Sequence, residues 1–344
     1  MKRWLGLLLF LFIMSGCRTA EPKAVTVRLM THDSFSVSEA VLAQFTAETG
    51  IIVQVFKAGD GGVMLNQAIL AKDNPLADVL FGVDNTFLSR ALANDIFLPY
   101  QSPALANIPD SLELDPQHRA LPVDYGDVCL NYDKAWFAAK GLEPPRTLAD
   151  LTLPAYTGLT VVQNPATSTP GLAFLLATVV AFGEDGYLDY WRALAANDVL
   201  VVDGWEDAYW GQFTAASDGS RPIVVSYASS PPAEVYYAEE PPDEAPTAAV
   251  VSDGACFRQV EFVGILRGTK QEEAAQKLVD FLLGKTFQED IPLQMFVYPA
   301  NETAVLPDVF VQHSVSPANP ALLDPETIAA NRETWIAEWT RIVR

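Results

Sequence analysis

VTVRLMTHDSFSVSEAVLAQFTAETGIIVQVFKAGDGGVMLNQAILAKDNPLADVLFGVDNTFLSRALA, residues 25–93, changes its hydrophobic period again and again. Val25 to Met30 is a strand-like run. Ser36 to Thr49 then carries Val37, Val41, Leu42 and Phe45 at helical spacing and stops at Gly50. Ile51 to Phe56 reads as a strand, Val63 to Ala71 as a helix, Ala77 to Phe81 as a strand and Asn85 to Ala93 as a helix. This β-α-β-α order predicts a mainly parallel sheet with helices on both faces. Such sheets bind ligands at the carboxyl ends of their strands, where loops enter helices. His32-Asp33-Ser34, Asp60-Gly61-Gly62 and Asp84-Asn85 fall at those ends.

Downstream, Leu121 to Tyr132 (LPVDYGDVCLNY) reads as one long strand with Gly126 in its middle, long enough to pass from one lobe to another. A second α/β set follows: strand Leu159 to Val162, helices Pro170 to Phe182 and Leu188 to Ala195, strand Val199 to Val202, helix Glu206 to Ala215, strand Pro222 to Tyr227. EEPPDEAPT (239–247) is a proline- and acid-rich loop. Cys256 to Leu266 is a second long strand, placed as an antiparallel return crossing, which would bring Cys256 near Cys129. Helices Gln271 to Leu283 and Pro325 to Ile342 complete the chain, and no internal repeat is visible. About 320 residues beyond the leader exceed the usual size of one hydrophobic core. The expected division places 25–122 with about 258–300 in one lobe, and 123–257 with about 301–344 in the other.

The N-terminus speaks of export. In MKRWLGLLLFLFIMSGC (1–17), Lys2 and Arg3 precede an apolar run from Trp4 to Met14, then Ser15-Gly16 and Cys17. That run is roughly half the ~20 residues a membrane span needs. Met-Ser-Gly-Cys resembles a bacterial lipobox, which makes Cys17 the expected lipidation site, with residues 18–24 a tether. Acyl chains anchor because each buried methylene contributes about 0.8 kcal/mol. No later segment reads as long and apolar enough to cross a membrane. The expected location is the outer face of the cytoplasmic membrane, or the periplasm.

Lys plus Arg number 22 against 43 Asp plus Glu, a net charge of −21. Nucleic-acid binding needs basic patches and is excluded as an expectation. The charge suits solubility and would also attract a cationic ligand. With Cys17 lipidated, Cys129 and Cys256 remain. In an oxidising compartment they read first as one disulfide, worth roughly 4–5 kcal/mol in the chain-entropy picture. Two buried thiols, or one reactive thiol, are the alternatives. His32, His118 and His313 are far apart, and no Cys-x-x-Cys or His-x-x-x-His exists, so no metal site is expected. Nucleotide-binding glycine motifs and a Gly-x-Ser-x-Gly elbow are also absent from the sequence.

Aromatic residues at strand-to-helix corners carry more information. Trp205 sits in Asp203-Gly204-Trp205-Glu206, and Tyr227 ends a β-branched strand before Ala228-Ser229-Ser230-Pro231. Each either packs a lobe or offers its face to a flat heterocycle or a cation. Thr167-Ser168-Thr169-Pro170-Gly171 opens a helix, as an ordinary N-cap, as an anion site, or as both.

THDSF (31–35), GDGGVMLNQ (59–67), ADVLFGVDN (77–85), VDYGDVCLNYDK (123–134), NPATSTPGL (164–172), GWEDAY (204–209), SYASSP (226–231) and WIAEW (335–339) together resemble the thiamine-binding proteins of ABC importers. The motifs stand in order over nearly all of residues 25–344. The resemblance implies an α/β, two-lobed type 2 periplasmic-binding-protein fold, each lobe a mainly parallel sheet flanked by helices and joined by hinge strands. It implies capture of thiamine, or of its mono- or diphosphate, by closure between the lobes, and delivery to a permease and its ATPase. No cofactor, no catalysis and a monomer are expected. Carried over by motif, Asp60, Gly61, Ser168, Thr169, Trp205, Tyr227, Ala228, Ser229 and Ser230 would line the site, with His32 and Asp33 at its edge. The family commonly has Tyr at His32, a nearby Trp with no counterpart here, and Trp at Phe296, so the stacking surface is altered. His32 would stack, hydrogen-bond, or simply satisfy its loop.

Two rivals share this fold. A thiaminase I-like enzyme would use a cysteine nucleophile activated by a carboxylate, and Cys129 lies near Asp127 on one strand face. A ferric-ion binder would use paired tyrosines, and Tyr236-Tyr237 resembles that pair, although beside Glu239 and Glu240 it reads as an exposed edge.

Overall fold

The computed structural model describes residues 25–343. The leader with Cys17 and the tether 18–24 lie outside the described residues. The chain begins β1 (Val25–Thr31), α1 (Glu39–Thr49), β2 (Ile51–Lys57), α2 (Gly61–Leu70), β3 (Val79–Asp84), α3 (Leu88–Ala93), β4 (Phe97–Leu98). It continues β5 (Leu121–Asp133), α4 (Lys134–Lys140), β6 (Thr160–Gln163), α5 (Thr169–Ala196), β7 (Leu200–Val202), α6 (Trp205–Tyr209), β8 (Ile223–Tyr227), α7 (Pro231–Tyr236), β9 (Thr247–Val250). It ends β10 (Phe257–Leu266), α8 (Glu272–Leu282), α9 (Lys285–Gln294), β11 (Tyr298–Pro299), α10 (Asp308–His313), α11 (Pro325–Val343).

Strand order is β2-β1-β3-β10-β5-β8-β6-β7. β1 runs parallel to β2 and β3, and β6 runs parallel to β7 and β8, so each half is a parallel α/β unit. Between them β10 and β5 lie antiparallel. The lower part of β5 pairs with β10 and its upper part with β8, so one strand belongs to both halves. β3 is buried along its whole length, and VLFGVD accordingly reads as a continuous apolar run rather than an alternation. α8 shows the opposite pattern: Ala274, Ala275, Leu278, Val279 and Leu282 form one buried stripe, while Glu272, Glu273 and Lys277 face water. α11 grips both halves. Trp339 meets Trp191 of α5 edge-on at 5.5 Å, while Arg332 lies 5.2 Å over Phe87 and donates to the Thr86 carbonyl.

Three local expectations need correction. α1 starts at Glu39, because the Ser38 N–H donates 2.7 Å to Asp290 and holds 36–38 extended. α6 ends at Tyr209 rather than Ala215, because Phe213 bridges to Arg221 and pulls the chain out of the helix. The two helices expected within residues 169–196 are present, joined end to end across a kink at Gly183 (φ 73°) into one apolar span. That span is long and apolar enough by length and composition to cross a membrane, against the sequence reading. Its apolar stretch Leu172–Val179 is buried in the protein, and Trp191 closes back on Thr178 at 2.9 Å, so it is a core helix.

Phe257 stands opposite Val128 in the β10–β5 ladder, which delivers Cys256 to Cys129. The two are joined by a disulfide with Cα atoms 4.3 Å apart, fully buried. The bond ties the ends of a 127-residue separation at the junction of the halves. Replacing both cysteines by serine should lower the unfolding free energy by roughly 2–5 kcal/mol. Urea denaturation followed by tryptophan fluorescence reads this as an earlier midpoint, and an unchanged midpoint would contradict it.

Candidate functional site

A cleft of about 780 Å³, counting its open mouth, lies at the carboxyl ends of the strands where the two halves meet. Asp60 organises one end. As the N-cap of α2 it accepts the Gly61 N–H at 2.6 Å and, from the other half, the N–H groups of Thr169 (3.1 Å) and Trp205 (3.0 Å). Three helix N-termini therefore converge on one carboxylate, where their free N–H groups favour negative charge. A Cβ at Gly61 would sit 2.5 Å from the Thr169 methyl, so only glycine allows this approach. Burial nevertheless outweighs the donors and pushes the Asp60 carboxyl up to about 6.

Trp205 begins α6 and stacks on Tyr209 at 4.8 Å, with the planes 20° apart, while its indole N–H donates to Ser226. Trp210 stands edge-on to both rings and is half exposed at the mouth. Across the cleft, Tyr227 lies against β5, where a Cβ at Gly126 would come within 2.7 Å of its ring. Its hydroxyl donates to Gln259 (2.8 Å), and the Gln259 amide donates to Asp84 (2.5 Å). Burial pushes Asp84 up to about 7, although Thr86, Gln259 and the Phe87 N–H all donate to it.

The other wall is acidic. Asp124 of β5 stands opposite Glu261 of β10 in register, is 1% exposed, and meets no N–H or hydroxyl donor on either oxygen. Burial first, and then Glu261 beside it, hold the Asp124 carboxyl well above the usual range. His32 places Nε2 3.5 Å from Glu261. Burial works to lower the His32 pKa, but Glu261, with Asp60 and Asp33, outweighs it and raises the value. No Lys or Arg is among the residues lining the cleft. The arrangement complements a flat cation carrying hydrogen-bonding edges.

His32, Asp60, Gly61, Thr169, Trp205, Tyr227, Ser230 and Phe296 are thus brought together as cleft lining. Ser168 stands behind it, accepting the Gly171 N–H as the cap of α5. Asp33 sits just outside, its backbone bonded to Gly59 and Lys57. Ala228 turns away to pack on the Cys129–Cys256 bond, and Ser229 is fully buried. The expected anion site at Thr167–Gly171 already has a carboxylate at its first N–H, that of Asp60. Sequence reading missed Asp124, Gln259, Glu261, Tyr209, Trp210 and Met295. One signal was available: Gln259 and Glu261 alternate in an otherwise largely apolar strand, which puts two polar groups on one face. Of the rivals' residues, both cysteines are spent in the disulfide away from the cleft. Tyr236 and Tyr237 pack around Phe296 at ring distances of 6.2 and 5.6 Å. Among the described residues no group of three or more His, Cys, Asp or Glu is placed to hold a metal.

The profile of the family described as bacterial extracellular solute-binding protein matches residues 74–319. The thiamine-binding periplasmic protein of Salmonella typhimurium (strain LT2) is 32% identical, covering 100% of this chain and 99% of its own. That of Escherichia coli (strain K12) is 33% identical over 91% of this chain and 92% of its own. A solved structure of a periplasmic thiamin binding protein superposes with a TM-score of 0.82 at 30% identity, covering 93% of this chain and 96% of that one. Iron-bound HitA from Pseudomonas aeruginosa, at 20% identity and a TM-score of 0.73, shares the fold.

The raised carboxyls set a pH dependence. Between the ordinary 3.8 and the folded values of about 6 for Asp60 and about 7 for Asp84, the folded chain holds protons that the unfolded chain has released. Folding stability therefore falls as pH rises through that window. His32, raised above 6.5, contributes in the same direction, its stabilisation being lost as pH passes its folded value. The melting temperature of ligand-free protein should decline from pH 5 to pH 8 in calorimetry. A rise over that interval would overturn the electrostatic account.

Proposed function

Because this chain belongs to the bacterial extracellular solute-binding proteins, among the thiamine-binding members, we propose that it captures thiamine between its two lobes outside the cytoplasm and hands it to an ABC importer. It is a binding protein and not an enzyme. The observation that carries the ligand is the pairing of an aromatic wall, Trp205 with Tyr209 and Trp210, with an acidic cleft that no Lys or Arg lines. Thiamine joins a cationic thiazolium to an aminopyrimidine. The cation is served by aromatic faces and carboxylates, and the pyrimidine edge by buried polar groups. In this reading the lobes are hinged on β5 and β10, and residues 25–122 with about 258–300 close against 123–257 with about 301–344. Asp60 would clasp the closed state, since it is held by N–H groups from both sides.

Export by the leader, anchoring through lipid on Cys17, and service as a monomer to a permease driven by an ATPase complete the proposal. The monophosphate and diphosphate of thiamine are further candidate ligands. Their anion would meet Asp60 at the α5 N-terminus, so they should bind more weakly at pH 8 than at pH 6, where Asp60 takes up a proton.

Isothermal titration of the purified mature protein with thiamine, its two phosphates and the free pyrimidine tests the reading. Thiamine should give saturable heat at one site, and no heat with any of the four would refute it. Trp205→Ala should weaken thiamine by about 2 kcal/mol, roughly 30-fold, if the indole faces the cation, and Trp205→Phe by less. An alanine variant that binds like the wild type would reduce Trp205 to lobe packing.

A further inference from the structure

Among the described residues, Asp124 is the one cleft-lining carboxylate whose two oxygens are both buried and meet no N–H or hydroxyl donor, its one polar neighbour being the Glu261 carboxyl across the ladder. Asp60 has three N–H donors and Asp84 has Thr86, Phe87 and Gln259, whereas Glu261 has His32 at 3.5 Å. A buried polar group left unmatched costs about 1–3 kcal/mol, so its retention at a cleft wall signals a partner that arrives with the ligand. The partner must offer an edge, since Asp124 lies in the strand floor between the pleats of β5 and β10 rather than on a stacking wall.

Resting on the reading that the ligand is thiamine, we propose that Asp124, backed by Glu261, is the subsite that reads the amidine-like edge of the aminopyrimidine ring. That edge sets an exocyclic N–H donor beside a ring-nitrogen acceptor. A neutral carboxyl presents the complementary O–H and C=O side by side, and two such bonds form at once when the Asp124 O–H turns from Glu261 to the ring nitrogen. Asp124 is the member of the pair that carries the proton. It is enclosed in the cleft floor, and burial with Glu261 alongside holds its carboxyl well above the ordinary range. The other groups around the pair are Asp33 and His32 after β1, Asp60 at the head of α2, Asp84 at the end of β3, Glu206 of α6 and Tyr227 of β8. Only His32 among them supplies positive charge. The pyrimidine is thereby assigned to the β5–β10 floor and the thiazolium to the Trp205 side, which orients the ligand in the cleft.

The test compares thiamine with the analogue that has hydrogen in place of the exocyclic amine, titrated into wild type, Asp124→Asn and Asp124→Leu. Wild type should bind the analogue roughly 10- to 100-fold more weakly than thiamine, the loss expected of hydrogen bonds to a buried, previously unmatched group. Asp124→Leu should lose a similar factor for thiamine and discriminate between the two less than threefold. Asp124→Asn, whose amide offers the same donor and acceptor pair, should retain thiamine to within a few-fold. A leucine variant that keeps the wild-type preference, or a wild type that binds both compounds alike, overturns the subsite while leaving thiamine binding intact. Should the leucine variant not fold, the wild-type ratio still decides. A wild type that binds no thiamine overturns the functional reading beneath it.

Discussion

The antiparallel register between β5 and β10 is the constraint on which the rest depends. β10 pairs with β3 of one parallel sheet, β5 pairs with β8 of the other, and their shared ladder merges two α/β units into one sheet. The same register sets Phe257 opposite Val128, which brings the cysteines together, and Glu261 opposite Asp124, which builds the acidic floor. A slip of one residue would send every one of these side chains to the opposite face, because side chains alternate along a strand. Structural staple and ligand floor are therefore parts of a single pairing.

Electrostatically the cleft is arranged at a cost to the empty protein. Asp60, Asp84 and Asp124 are buried, and burial is the leading cause of each raised carboxyl. Ionised carboxylates in such surroundings destabilise the fold unless positive charge or donors meet them. A cationic ligand offsets that penalty on arrival, and so gains affinity from groups that weaken the unliganded state. On the far side of β5 the situation differs: Asp127 is met by Arg258 at 2.6 and 2.9 Å and needs no ligand. Two aspartates three positions apart on one strand thus do different work, one structural and one open.

Local signals in the sequence carried the fold a long way. Gly50 in the left-handed conformation ends α1 and the Ser168 cap lies where a helix start was read, while Asp60 caps α2 at Gly61, two residues ahead of the Val63 start that was read. Trp205, Tyr227, Asp60 and Thr169 stand at corners predicted by the rule that ligands gather at strand carboxyl ends. Where reading went astray, a nonlocal contact had intervened: Asp290 holds back α1, Arg221 cuts short α6, and burial rather than lipid accounts for the apolar α5. Ala228 and Ser229 were placed in the site by their motif, yet the tight turn after β8 turns them toward the disulfide and the interior.

By itself the sequence determined the α/β alternation, the two long crossing strands and the aromatic and acidic corners, because period, caps and strand ends are short-range properties. It also carried the family resemblance, through motifs spread along nearly the whole chain. Only the tertiary structure decided that Asp60 gathers N–H groups from both halves, and that Asp124 faces Glu261 with no N–H or hydroxyl donor in reach. Those facts depend on which residues meet across the β5–β10 register and across the cleft. Such meetings are set by packing between distant segments, and no local pattern encodes them.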